Sequence, residues 1–395
     1  MSEAEVRDLD LLEGAFYAGN PDPTYAWLRH HAPVYRDEVN ALWGVSRYDD
    51  IVTMERHPEW FCSGQGYRPN LGADSSMIGR DDPRHLAQRR VIFQRFTPRN
   101  VRKLEENVRA TVASLIDGFA RRGRCDLVAE YAIPLPVITV LDLIGFDRKE
   151  WPRFAEIAEK TNAGGGGPRY LTDESMQLGG EFFQRFAELK AARERERADD
   201  LTSLMLDAHE DGSVQREDGE FGMEGILLLN GGSDTTRHVI STAAHALLQH
   251  PEQHALLRDE PSRIPTAVEE FIRWVTPILN MRRTATQDLE LGGTAISEGD
   301  ELLMMFSSAN RDEAHFDEPE RFDVTRNPNP HLAFGLGTHF CLGASLARLE
   351  LRVAFEELLR RLPDLRIAPG FEPSIIPNAF VRGLESLEVE FTPEA

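Results

Sequence analysis

Cysteine, lysine and long apolar runs are all scarce in this chain, and each scarcity closes off a class of protein. Cys62, Cys125 and Cys341 are its only cysteines, too few and too scattered for a disulfide framework, which fits a reducing compartment. Cys62 and Cys125 read most simply as small apolar side chains. No apolar stretch is long enough to span a bilayer, and the segment from Met1 to Gly19 is acidic, without a basic leader. Neither a signal peptide nor a membrane anchor is expected, and a cytoplasmic location is. Positive charge is short as well: the formal net charge of −22 argues against nucleic acid and anionic membrane surfaces as partners. No Pro/Ser-rich linker, composition break or internal repeat divides the 395 residues. Length alone allows two or three domains, but residues 1–395 read as one, with 1–15 a flexible lead-in.

What is present is mainly helix, with few and short strands. Val34-Tyr35-Arg36 and Leu42-Trp43-Gly44-Val45 read as a hairpin. Helical periodicity runs from Arg90 to Leu115, interrupted at Pro98, and carries Arg90, Arg95, Arg99, Arg102 and Lys103. Such a basic patch on an acidic protein is either a solvated helix face or a guide for an acidic partner. Phe182, Phe183, Phe186 and Leu189 recur at helical spacing, and Asp199 or Asp200 is placed to cap the helix that begins at Leu201. Gly164-Gly165-Gly166-Gly167-Pro168 lacks the Lys-Ser/Thr of a phosphate loop and reads as a mobile lid. Alternation at Leu387, Val389 and Phe391 predicts a closing strand.

The densest chemistry lies in Phe334-Gly335-Leu336-Gly337-Thr338-His339-Phe340-Cys341-Leu342-Gly343, directly before an apolar helical run from Ala344 to Leu358. A cysteine at a helix mouth is biased toward thiolate. Glycines let the backbone turn around the sulfur and approach a large planar group. This is the setting in which a thiolate binds a metal while nearby amides donate to it.

A second stretch, Glu224 to His250, sets Leu227, Asn230, Gly231, Asp234, Thr235 and His238 on one face. Gly231 and Gly232 each cost about 1 kcal/mol in a helix interior, so room for a ligand is one explanation for them. Thr235 can return its hydroxyl to the Gly231 carbonyl and loosen the helix. An acid beside an alcohol at such a break can carry protons inward. A kinked core helix with a capping Asp is the alternative.

The cysteine loop resembles the haem-ligand motif Phe-Gly-x-Gly-x-His-x-Cys-x-Gly of the cytochrome P450 superfamily, matched at Phe334, Gly335, Gly337, His339, Cys341 and Gly343. Gly231-Gly232-Ser233-Asp234-Thr235-Thr236 is similar to its oxygen-activation motif. The resemblance covers about Phe16 to Phe391 and fits the soluble bacterial type. It implies the mainly α, single-domain P450 fold: a triangular helical prism with small β-sheets and haem b between the oxygen-activation helix and the cysteine loop. It implies Cys341 as axial iron ligand, Phe334 against the porphyrin, and His339, His85, Arg89 and Arg283 toward the haem propionates. By the same resemblance Asp234 and Thr235 deliver protons during O–O cleavage. Glu270, Arg273 and Arg321 form a structural network behind the cysteine loop. O2 is the co-substrate, and electrons come from NAD(P)H through a reductase and an acidic ferredoxin.

Asp234 to His238, Pro277 to Arg283, Phe306 to Asn310 and Arg326 to Phe334 resemble the bacterial steroid side-chain hydroxylases, which act on cholesterol or cholestenone. That implies a monooxygenase acting on a steroid or isoprenoid chain. Tailoring of a polyketide, terpene or peptide is the alternative, and a non-catalytic haem sensor the remote one. Expected pocket walls are Gly64–Ile78, Gly164–Gly180, Leu227 to Thr235, Ile278 to Met281 and Ile375 to Phe380. Leu227, Asn230, Gly231, Ile278, Leu279 and Ile376 are the candidate contacts. Asn230 either meets a polar substrate group or bonds within its own helix.

Overall fold

A computed structural model describes residues 9–394. Helices dominate, as the periodicity predicts, and the strands form three small sheets. Strands β1 (Val34–Asp37), β2 (Leu42–Val45), β3 (Phe61–Cys62), β5 (Met281–Ala285) and β8 (Glu301–Met304) build the largest sheet, in the order β1-β2-β8-β5-β3. The expected hairpin is β1 with β2, registered Val34 against Val45. β4 (Arg124–Asp126), β9 (Arg366–Ile367) and β10 (Glu388–Glu390) form the second sheet, and β6 (Leu289–Leu291) with β7 (Thr294–Ile296) the third. The predicted closing strand is thus β10. Asp200, not Asp199, caps the Leu201–Glu210 helix by accepting the Ser203 amide at 2.8 Å. Of the amino-terminal segment expected to be flexible, residues 1–8 lie outside the described residues. From Leu9 onward it packs, with Leu11 and Leu12 buried beside Tyr17 and Tyr25.

One long helix, Asp218–Gln249, runs through the main core, about 48 Å at 1.5 Å per residue. Pro134–Ile144, Trp151–Ala163, Ile264–Val275 and Ala344–Arg361 pack around it. Pro134–Ile144 is apolar almost all round, which suits a helix with neighbours on every side. The two glycines of the long helix differ in their reasons. A Cβ on Gly232 would come within 2.8 Å of Val140 Cγ2, so this glycine lets two helices cross closely. A Cβ on Gly231 would meet nothing within 4 Å. Among the described residues no helix is long and apolar enough to cross a membrane.

Behind the cysteine loop, the Glu270 carboxylate is fully buried and takes a bidentate pair from Arg273, Nε and Nη2 both at 2.8 Å. The Asp323 amide and the Asn329 side chain also donate to it, at 2.9 Å and 3.1 Å. Arg321 is not the third charged member. Its side chain is 57% exposed and pairs with Glu318. Only its backbone carbonyl faces in, accepting from Arg273 at 3.3 Å. Arg326 takes the place instead, its Nε 3.3 Å from Glu270 and its Nη1 donating to the Asp317 carbonyl at 2.7 Å.

Two stability series follow from this packing, both measured by urea unfolding. Glu270→Leu leaves two buried guanidiniums unanswered and costs about 3–5 kcal/mol, Arg326→Leu about 2, and Arg321→Leu under about 0.5. Equal losses at 321 and 326 would contradict the assignment. Gly232→Ala costs about 1–2 kcal/mol through overpacking against Val140, whereas Gly231→Ala is neutral or gains up to about 1.

Candidate active site

The Phe334–Gly343 loop is wound so that the Cys341 amide donates to the Phe334 carbonyl at 2.8 Å. At Gly337 the backbone is left-handed (φ 67°), and a Cβ would run into the Glu55 carbonyl at 2.3 Å, so only glycine fits. Glu55 fastens this turn: Oε2 accepts the Leu336 amide at 2.9 Å and Oε1 pairs with Arg283 at 2.9 Å. Phe334 lies under the Arg348 guanidinium, 4.6 Å from its centroid. Cys341 is a free thiol whose surface is open to a ligand, although protein atoms crowd around the sulfur. Burial pushes it up, and the Gly343 and Ala344 amides with Arg89 and Arg348 only oppose this. The helix mouth alone therefore does not make the thiolate that the sequence leads one to expect, because desolvation outweighs it. A metal cation at the sulfur reverses that balance.

Beside the loop, His85, Arg89, Arg283 and His339 converge from three elements. The His85 and His339 rings sit 4.1 Å apart. His85 Nδ1 is 3.1 Å from Asp82 and 3.2 Å from the Thr338 hydroxyl. His339 Nε2 is 3.2 Å from the Ser63 hydroxyl. Burial, with Arg283, His85 and Arg89 nearby, pulls His339 down to about 2, so its imidazole is neutral. Arg89 donates to the Phe340 carbonyl at 2.5 Å and has no carboxylate partner among the described residues. This edge offers more cation than the buried Glu55 answers, which suits it to anionic groups.

On the long helix, Leu227, Gly231 and Thr235 remain accessible while Leu228, Leu229, Ser233, Asp234 and Thr236 are buried. Residues four apart share a face, so a cleft runs along this one. Thr235 donates its hydroxyl to the Gly231 carbonyl at 3.1 Å, as its position in the sequence predicts. Asp234 is turned toward the Trp151–Ala163 helix. It pairs with Arg237 Nε at 2.6 Å and accepts from Asn162 at 2.6 Å, while Arg237 reaches on to Glu159 at 2.9 Å. Burial would raise the Asp234 carboxyl, but Arg237, His238 and Asn162 override it and hold it well below the usual range. The acid and the alcohol are neighbours in sequence with different partners.

The expected pocket contacts divide. Asn230 bonds neither within its helix nor to a free acceptor: its Oδ1 accepts from Thr161 of the next helix at 3.1 Å. Leu279 is core, 1% exposed among Tyr17 and Tyr25, because strand alternation turns it away from Ile278. Ile278 and Ile376 are half-buried. The sequence reading missed Glu55, Asn162, Arg237 and Arg326. Arg237 alone carried a local signal, three residues after Asp234 on one helix.

Residues 173–385 match the family described as Cytochrome P450. The steroid C26-monooxygenase of Mycobacterium tuberculosis is 41% identical over 395 residues, 98% of this chain and 98% of its own. The methyl-branched lipid omega-hydroxylase of Mycobacterium bovis is 37% identical, covering 99% of this chain and 96% of its own. The crystal structure of a Bacillus megaterium cytochrome P450 in complex with testosterone superposes with a TM-score of 0.89 at 30% identity, covering 95% of this chain and 99% of that one. Identity at this level along the whole length reaches beyond a shared fold: the chain belongs to the cytochrome P450 family and is an O2-dependent haem-iron monooxygenase.

Proposed function

We propose that the enzyme hydroxylates the apolar end of a steroid or isoprenoid chain, using haem b held by Cys341. The observation that carries this reading is the exposed Cys341 thiol facing a cleft whose edge gathers Arg89, Arg283 and the His85 and His339 imidazoles. Haem fits that donor set. Among the described residues no cluster of His, Cys, Asp and Glu forms a metal cage of protein ligands alone, so a lone thiolate suits a metal that arrives in its own macrocycle. Bound there, the haem iron supplies the activation of O2. The chain's residues do the rest.

Arg89, Arg283, His85 and His339 orient the group by its two carboxylates, and Phe334 packs beside the sulfur. Gly231 leaves the cleft open on the opposite face. Thr235 presents its hydroxyl into the cleft, and Asp234, once it has turned from Arg237 and taken a proton from solvent, passes that proton on to it. An ionised Asp234 holds no proton at rest, so proton transfer waits on that movement. Leu227, Ile278 and Ile376 line an apolar cleft from which water leaves when substrate enters.

Family members of this kind use redox partners; we assign an acidic ferredoxin fed by NAD(P)H and a reductase. Arg90, Arg99, Arg102 and Lys103 are exposed beside the cysteine loop's neighbour helix and make no ion pair among the described residues. Exposed Phe93 and Phe340 add an apolar centre to that basic face. The protein is cytoplasmic, and residues 1–395 act as one domain.

The relatives' names support the steroid and branched-lipid class. An optical titration of the ferric protein tests it. Cholestenone and a branched isoprenoid alcohol should each drive a low-to-high-spin shift; silence toward both with a shift from a macrocyclic natural product would instead support a tailoring hydroxylase. Thr235→Ala should lower product formation about 10-fold or more while NAD(P)H consumption continues and peroxide accumulates. Unchanged coupling in that variant would remove Thr235 from proton delivery. No turnover of any ligand by the reconstituted wild type would favour a haem sensor.

A further inference from the structure

Eight arginines are buried among the described residues: Arg29, Arg68, Arg216, Arg237, Arg273, Arg282, Arg283 and Arg311. Seven of them have a carboxylate within 4 Å, from Glu313, Glu224, Asp234, Glu270, Glu301, Glu55 and Asp22 respectively once Arg68 is set aside. Arg68 alone pairs with no acid among the described residues, although it is only 3% exposed. Its partners are neutral. Nε donates to the Gly165 carbonyl at 2.5 Å, Nη1 to the Asn280 carbonyl at 2.6 Å, and Nη2 to the Asn280 side-chain oxygen at 3.0 Å. The guanidinium also stacks 3.7 Å over the Phe380 ring.

Five N–H groups thus meet three oxygens. One N–H on Nη1 has only the Met281 thioether, at 3.9 Å, and one on Nη2 has no acceptor. Burial pulls Arg68 down to about 9, which leaves it charged at neutral pH. A buried cation without an anion is costly to keep, and a structural tie to carbonyls needs no charge.

The position of Arg68 says what the charge is for. Arg68 belongs to the 64–78 loop, Gly165 to the glycine-rich turn, Asn280 and Met281 to the lead into β5, and Phe380 to the 375–380 turn. Four of the five expected pocket walls meet at this one guanidinium. Gly165 lies so close to Phe380 that a Cβ there would come within 2.3 Å of the ring. Along the same stretch of chain, Arg283 sits beside His339 at the haem edge, and three residues of extended backbone place Asn280 about 10 Å away from it. The cation is therefore set apart from the Arg283–His339 edge, among the expected pocket walls.

We propose that Arg68 is an anion subsite of the substrate cleft, and that the substrate is an amphiphile whose carboxylate is held at Arg68 while its apolar end is directed to the haem. This rests on the monooxygenase reading and narrows it to acidic lipids, whether straight-chain, branched or steroidal. The two free N–H groups bind the carboxylate, and the Arg68 stack on Phe380 keeps the fork fixed.

The test is an optical titration of the ferric holoprotein with dodecanoic acid and methyl dodecanoate, in wild type, Arg68→Lys and Arg68→Gln. The acid should bind wild type about 10-fold or more tighter than the ester. Arg68→Gln should bring the acid to the level of the ester, while Arg68→Lys keeps part of the preference. Equal wild-type affinities for acid and ester, or a preference that survives Arg68→Gln, would overturn the subsite and leave Arg68 a tie between loops. If Arg68→Gln does not fold, the acid-to-ester ratio in wild type and Arg68→Lys decides. A separate imidazole titration guards the premise: a wild-type spectrum that does not respond to imidazole overturns the haem reading itself, and the subsite with it.

Discussion

The pairing of buried guanidinium with buried carboxylate is the constraint on which the rest of this structure depends. Glu270 is the hub: Arg273 and Arg326 converge on it, and through their other N–H groups they hold the carbonyls of Asn310, Pro319 and Asp317. Those carbonyls belong to the long irregular stretch that leads into the cysteine loop. Glu55 does the same work on the loop's other side, binding Arg283 and the Leu336 amide. A loop with few hydrogen bonds of its own is thereby fixed from two directions. Cys341 can then be presented at one orientation although its own burial opposes the thiolate.

The same rule explains the places where the pairing is incomplete. Arg89 is half-buried with no acid paired to it among the described residues, at the edge we assign to the cofactor's carboxylates. Asp234 is over-answered by Arg237, His238 and Asn162, which keeps it ionised and turned from the cleft. In the proton route we propose, electrostatics on one face of the long helix set the resting state of the acid. Thr235 occupies a second face, hydrogen-bonded to Gly231.

What was legible in the sequence was what is local. The cysteine loop, the Thr235-to-Gly231 hydrogen bond, the hairpin of β1 and β2 and the cap at Asp200 each depend on residues within a few positions of one another, although the helix runs unbroken through Gly231 to Thr235, without the expected break. Glu55 and Arg283 were not legible as a pair because 228 residues separate them. Arg321 misled for a subtler reason: it stands at the right distance in the chain, but its carbonyl and not its guanidinium faces inward. Leu279 failed by the two-residue period of extended chain, which sends neighbours to opposite sides. Gly231 and Gly232 looked alike in sequence and are not, since one faces a cleft and the other a crossing helix.

The central claim is that Cys341 is the one side chain that binds the haem iron. The carbon monoxide spectrum of the reduced protein tests it most directly, comparing wild type with Cys341→Ser. The account predicts a thiolate-type Soret band in wild type that is lost in the variant, with the fold retained by circular dichroism. A thiolate-type band that persists in Cys341→Ser would contradict it.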